Sequence, residues 1–241
     1  MRIPSDSELI AVWERCSGEH PVDRALILLS ACFGESPEEL TMLSVGSRDA
    51  RLLEVYDGFF GSELNAFAEC PVCGEGLEYG LNAHSLALSQ RKEDVPLTLE
   101  TEEMLFQLRL PDSSDLRALM GCSNVEDATQ LLVKRCVIEA HMGEMPALIE
   151  PLPQPTIDLI ANRLAAANPQ AEILIDLTCT ACSHSWQVIF DIEAFLWLKI
   201  SATVRRLLQQ VHTLASAYGW CESDILALSS TRRQIYVEMA S

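Results

Sequence analysis

Two Cys-x-x-Cys units, Cys70-Pro-Val-Cys73 and Cys179-Thr-Ala-Cys182, constrain this chain more than any other feature. Their downstream flanks correspond without gaps, Cys70 through Asn82 lying on Cys179 through Asp191. In each, a small residue (Gly74, Ser183) follows the second cysteine. Apolar residues then alternate, Leu77, Tyr79 and Leu81 in the first and Trp186, Val188 and Phe190 in the second. Each unit therefore reads as a knuckle, a tight turn carrying two thiols that leads into a half-buried strand. Structural zinc takes four ligands in a tetrahedron, and one knuckle supplies two of them. Cys179 follows Cys70 by 109 positions, far more than the adjacent hairpins of a zinc ribbon need. The site is thus expected to be assembled by tertiary folding, clamping distant parts of the chain together. The prediction is one structural zinc per chain on Cys70, Cys73, Cys179 and Cys182, with no open position for a catalytic water.

Other readings of these thiols stay open. A redox-active Cys-x-x-Cys normally sits where a helix end lowers the thiol pKa, whereas both motifs here lead into strand-like sequence. His184, two residues past Cys182, could replace a thiolate, although a surface histidine at a hairpin tip is the simpler reading. Cys16, Cys32, Cys122, Cys136 and Cys221 do not pair at ligand spacing. Cys32 and Cys136 fall in apolar helical runs and read as small core residues. A second site from Cys122, Cys136 and His141 is left open.

Charge limits what such a chain can bind. Seventeen Lys+Arg against 35 Asp+Glu leave a net charge of −18. Nucleic-acid grip depends on Lys and Arg neutralising phosphates, and anionic membranes attract basic segments; neither partner is expected. Residues 1–190 hold 30 acidic and 12 basic side chains, but residues 191–241 hold five of each. Met1–Glu19 carries Asp6, Glu8 and Glu14 and lacks the pattern of a signal peptide. No apolar run approaches the roughly 20 residues a bilayer requires. A soluble cytoplasmic chain is expected, where thiols stay reduced and available to metal.

The remaining pattern predicts an α+β fold, predominantly helical, with two short β-hairpin zinc knuckles brought together and a long C-terminal amphipathic helix. Helices are expected over Asp6–Cys16, over Pro21–Phe33 with Gly34 as the stop, after Ser36, and over Ser47–Phe60. Leu77–Asn82 and Met104–Leu110 read as extended, Asp112–Met120 and Asn124–Glu139 as helical. Four prolines make Gly143–Pro155 a loop that cannot be a regular element. Thr156–Ala167 is helical, and Ile173–Leu177 and Trp186–Phe190 are strands flanking a turn. From Asp191, Ile200, Val204, Leu207, Leu208, Val211, Leu214, Ala215 and Tyr218 form one apolar stripe at helical spacing that ends near Gly219. Short helices over Glu222–Leu228 and Thr231–Ala240 follow. The parts are residues 1–61 (helical), 62–142 (first knuckle, strands and helices), 143–155 (Pro-rich loop) and 156–241 (second knuckle and C-terminal helices), within one intertwined unit.

Catalysis finds little support. No Gly-rich phosphate loop, His-Glu-x-x-His or Gly-x-Ser-x-Gly occurs. Asp112, Asp115, Glu126 and Asp127 stand at helix starts, where acids cap and complement the dipole. His141 and His212 are lone histidines on helices. No enzyme and no small-molecule substrate are expected. Arg232-Arg233 is too small a basic cluster for nucleic acid and suits a salt-bridge contact to a protein. Arg205, Arg206, Tyr218, Trp220, Arg232 and Arg233 are the expected partner-binding residues.

Further stretches carry a family likeness: His20-Pro-Val-Asp-Arg-Ala-Leu26, Leu110-Pro-Asp-Ser-Ser-Asp-Leu116, Leu131-Leu-Val-Lys-Arg-Cys-Val137, Phe190-Asp-Ile-Glu-Ala-Phe-Leu-Trp197, and Val211 to Leu228 with Arg232-Arg233. Together with both knuckles, the sequence resembles the T4-type baseplate hub assembly chaperone family, as found with phage-tail-like contractile injection systems. The resemblance implies a non-enzymatic role in building the baseplate, with baseplate wedge, hub or tail proteins as partners. The zinc assignment rests on cysteine spacing and not on this family. The alternative class is a zinc-ribbon regulator contacting nucleic acid or transcription machinery, which would need a basic, aromatic-interleaved stripe that this chain lacks.

Overall fold

The computed structural model describes residues 1–87, 97–143, 145–146 and 152–240. Helix α1 (Asp6–Cys16) opens on a capping box in which Ser5 and Glu8 satisfy each other's backbone amides. Helix α2 (Pro21–Phe33) starts on Pro21 and stops at Gly34, whose φ of 75° few other residues adopt. Ser36 and Glu39 repeat the capping box for α3 (Pro37–Thr41), and Ser44 caps α4 (Val45–Phe60). The helical character expected of the first 60 residues is present.

Strands β1 (Glu63–Glu69) and β2 (Gly76–Asn82) form an antiparallel hairpin, followed by the short helix α5 (Ala83–Leu86). A four-stranded antiparallel sheet is built in the order β3 (Leu97–Glu100), β4 (Leu105–Leu108), β5 (Val137–Met142) and β6 (Met145–Pro146). Between β4 and β5 run α6 (Ser113–Leu119) and α7 (Val125–Cys136); α8 (Gln154–Ala167) follows the sheet. One face of the sheet closes a core with α7 and α8, made by Leu97, Phe106, Leu108, Val133, Cys136, Val137, Ala140, Ile157, Ile160 and Leu164. A 3₁₀ turn (Pro169–Ala171) leads to the second hairpin, β7 (Ile173–Thr178) and β8 (Ser185–Phe190), and the chain ends in α9 (Ile192–Tyr218), α10 (Glu222–Leu226) and α11 (Ser230–Ala240).

Two expectations need correction. The helix expected to reach Glu139 ends at Cys136, because Ala140 pairs with Phe106 and draws the β-branched Val137 and Ile138 into strand. The Pro-rich segment does contain a regular element: Met145–Pro146 is an edge strand, where proline gives up no ladder hydrogen bond. Residues 144 and 147–151 of that expected loop lie outside the described residues.

The chain divides into two compact units, one of Met1–Glu35 with Ile192–Ser241 and one of Ser36–Asp191. In the first, α9 packs on α1, α2, α10 and α11. Ile200, Val204, Leu207 and Leu214 of the expected stripe are buried, while Leu208 and Tyr218 are partly exposed. Trp13 donates from Nε1 to Ser201 Oγ (3.1 Å), and Arg24 pairs with Glu193 (3.0 Å) while lying over the Trp197 ring (4.9 Å).

In the second unit, the start of α4 lies against the 3₁₀ turn so closely that Gly46 has no room for a side chain. A Cβ there would overlap Asn168 Oδ1 and approach Gln170 Cβ to 3.0 Å, and both residues are buried. Gly46→Ala is therefore expected to destabilise the protein by about 1–3 kcal/mol, the usual range for overpacking. Urea unfolding checks this; an unchanged midpoint would mean that Asn168 simply swings aside.

Candidate metal centre

Both hairpins present the same loop. The ladders close on Glu69↔Gly76 and on Thr178↔Ser185, leaving residues 70–75 and 179–184 as the tips. In the first tip the Cys70 amide donates to the Glu75 carbonyl (2.8 Å) and the Gly74 amide to the Cys70 carbonyl (2.9 Å). In the second, Cys179 donates to the His184 carbonyl (2.8 Å) and Ser183 to the Cys179 carbonyl (2.9 Å). Gly74 at φ 73° and Ser183 at φ 60° occupy equivalent left-handed positions, which glycine takes freely and serine only under the constraint of the turn. The gapless correspondence between the two motifs is thus a correspondence of backbone.

The tips face each other. Cys70 Sγ lies 3.7 Å from Cys182 Sγ and Cys73 Sγ 3.6 Å from Cys179 Sγ, and all four sulfurs lie within 4.8 Å of one another. A tetrahedral ion with metal–sulfur bonds of about 2.3 Å separates its sulfurs by about 3.8 Å, whereas a disulfide would bring a pair to about 2.05 Å. The cluster is compatible with a metal site in both geometry and donor type. Cys70 and Cys179 are buried, and Cys73 and Cys182 are exposed, so the group sits at a surface with one thiol of each knuckle turned inward.

The sulfurs do not share one protonation behaviour. Desolvation raises the Cys70 thiol, but the amides of Cys73 and Val72 and the Cys182 sulfur outweigh it and bring it down to about 7. At Cys73 the Glu75 amide lowers the thiol, yet the crowding sulfurs of Cys179 and Cys182 outweigh it and push it up. The first tip thus holds Cys70 ready as a thiolate, while the crowding of sulfurs opposes ionising the set without a cation.

The other candidates are placed apart. His184 is not among the converging ligand atoms; its ring stacks on Trp186 at 6.0 Å. Cys136 is buried in the core under the four-stranded sheet and Cys122 is half-buried, while His141, expected on a helix, stands instead on β5 beside Glu139 (3.2 Å), where it pairs with Leu105 of β4. Among the described residues no second group of three or more potential ligands converges. Asp112 caps α6, Asp115 is enclosed between Arg109 and Arg135, and Glu126 and Asp127 occupy the first turn of α7.

A family model described as T4 bacteriophage base plate protein matches residues 24–197. The chain belongs to this family. No curated protein and no solved structure matches it. The stretch shared with the baseplate family spans both hairpins and all four clustered cysteines, and it ends within α9.

Beyond that stretch, Arg205, Arg206 and Arg232 are exposed, Tyr218 is 40% exposed and Trp220 half-buried. Arg233 requires a correction. Successive helix positions point about 100° apart, so Arg233 turns inward where Arg232 turns out. It is 2% exposed and binds Asp6, Gln210 Oε1 (2.8 Å) and the Leu228 carbonyl (3.4 Å). It holds α11 to α9 and α1 and is not a surface contact. Sequence reasoning also passed over Tyr236, which touches both Tyr218 and Trp220. Its spacing of four from Arg232 on a terminal helix was the available signal.

Proposed function

We propose that this baseplate-family chain is a non-enzymatic assembly factor or component of the baseplate of a phage-tail-like contractile injection system, working in the cytoplasm through contacts with baseplate wedge, hub or tail proteins. In this reading one zinc ion per chain, held by Cys70, Cys73, Cys179 and Cys182, is structural. The observation that carries the reading is the family match over residues 24–197, with the four-cysteine cluster inside it. Zinc fits the cluster because thiolates are its preferred structural ligands and the sulfur pairs at 3.6 and 3.7 Å, with all four sulfurs within 4.8 Å, are compatible with a tetrahedral site. What the cysteines do is mechanical: they join hairpins far apart in sequence at their tips, so that neither two-stranded ladder, marginal alone, has to stand by itself.

A tagged chain purified from its native host at moderate salt, with co-purifying proteins identified by mass spectrometry, tests this reading. Baseplate wedge, hub, tube or sheath proteins are the expected result. Recovery of polymerase or DNA in their place would overturn it.

A further inference from the structure

We propose that the end of α9, the turn through Trp220 and the outer face of α11 form a docking surface for an acidic segment of a partner protein; the proposal deepens the assembly reading and rests on it for the kind of partner. The Tyr218 and Trp220 rings stack at 4.8 Å, and Tyr236 meets them edge-on at 6.2 and 5.0 Å. Tyr236 belongs to a stripe of α11, Arg232, Ile235, Tyr236 and Met239, at the spacing i, i+3, i+4, i+7 of a single helix face. That face is turned to solvent, with Ile235 at 46% and Met239 at 70% exposure, while Arg233, on an adjoining side of the helix, anchors it to α9. A helix ordinarily buries its apolar stripe; here the apolar stripe lies on the outside. Tyr, Trp, Met and Arg are also the side chains enriched where proteins dock.

Charge selects the occupant. Arg232 lies 5.7 Å over the Tyr236 ring, with its guanidinium 3.5 Å from the Tyr236 hydroxyl, and no carboxylate pairs with it among the described residues. Arg24 and Arg233 in the same unit both have carboxylate partners. Arg205 and Arg206 on α9 are exposed and likewise without carboxylates among the described residues. In a chain of net charge −18, a cation held over an aromatic ring and left unpaired suits a carboxylate arriving from outside, and the adjoining rings suit an apolar side chain next to it. Phosphate on single-stranded nucleic acid could use the same ring and guanidinium, but nucleic acid carries a charge at every nucleotide and is gripped by a track of cations, which one arginine over one ring does not supply.

The test replaces Met239 by the photoreactive residue p-benzoylphenylalanine in the full tagged chain, irradiates the native host, and sequences the cross-linked peptide. An acidic peptide with an apolar residue is expected. Arg232→Glu, which leaves the melting curve unchanged because Arg232 is exposed, should cut the yield at least tenfold, and Arg232→Lys should retain most of it. No cross-link, a basic peptide, nucleic acid, or an equal yield from Arg232→Glu overturns the docking surface. If baseplate proteins still co-purify in that case, the assembly reading stands without it. If none co-purify but an acidic peptide is captured from another protein, the surface stands and the assembly reading falls.

Discussion

Replacing Cys70 by serine is expected to strip the metal from the four-cysteine centre and abolish the cooperative unfolding transition of the unit formed by Ser36–Asp191. Cys70 is one of the two inward sulfurs, 2% exposed, and its tip amides are already arranged to hold it as a thiolate. A serine hydroxyl stays protonated at neutral pH and is a poor zinc ligand, so the site falls to three sulfurs. Structural zinc contributes apparent free energies of about 10–16 kcal/mol in zinc-finger peptides, comparable with the whole stability of a domain, about 5–15 kcal/mol. Metal analysis should find about one zinc per wild-type chain and none in Cys70→Ser, and the wild-type thiols should resist alkylation until a chelator is added. Cys136→Ser is the control. Cys136 is fully buried but lies in the core under the four-stranded sheet, so its loss should lower stability while zinc content stays the same. Metal-free wild-type protein with a full melting transition would sink the zinc assignment.

The four-cysteine cluster was legible in the sequence because its information is local: two thiols at fixed spacing, a residue suited to a left-handed turn, and an alternating strand. Helix ends were legible for the same reason, Gly34 stopping α2 and Ser36 starting α3. What escaped was set by partners far along the chain. Strand β1 carries Asn65, Ala66 and Ala68, weak strand formers, and is held by its register against β2. The equivalence of the two knuckles could have revealed it, since the segment before Cys179 already read as a strand. The switch from α7 to β5 depends on pairing with β4 across the intervening helices, and the inward turn of Arg233 on an Asp6 more than 200 positions away. Asp115 was legible as a helix-cap acid, but nothing local shows that two arginines close over it.

Those two arginines make Asp115→Ala the second large expected effect, a loss of about 3 kcal/mol, the lower end of the cost of breaking a buried ion pair from one side, because both arginines are about a third exposed. The Asp115 carboxylate is fully buried and takes Arg109 on both oxygens (2.6 and 2.8 Å), Arg135 Nε (2.7 Å) and the Asp112 amide (2.9 Å). Removing it leaves Arg135 without its carboxylate and Arg109 with Asp112 alone (3.3 Å), and undoes the capping box of α6 at the same time. Arg135→Ala should cost less, since Arg135 is about a third exposed and Arg109 still neutralises the carboxylate. The pH dependence has a definite sign. Burial alone would raise the Asp115 carboxyl, but the hydrogen bonds from Arg109, Asp112 and Arg135 outweigh it and hold it below the ordinary value. The unfolded chain, with an aspartate pKa near 3.9, therefore binds the proton first as pH falls. The stabilisation is complete above about pH 4 and drains away below it. Asp49 runs the other way: burial outweighs Arg48 and pushes its carboxyl up to about 6, so this group adds stability as pH falls from 6 toward 4. Urea unfolding of wild type, Asp115→Asn and Asp49→Asn between pH 3 and 7 separates the two. The wild-type advantage over Asp115→Asn should shrink only at the acid end, and a constant difference across the range would show that Asp115 acts through packing and not through its charge.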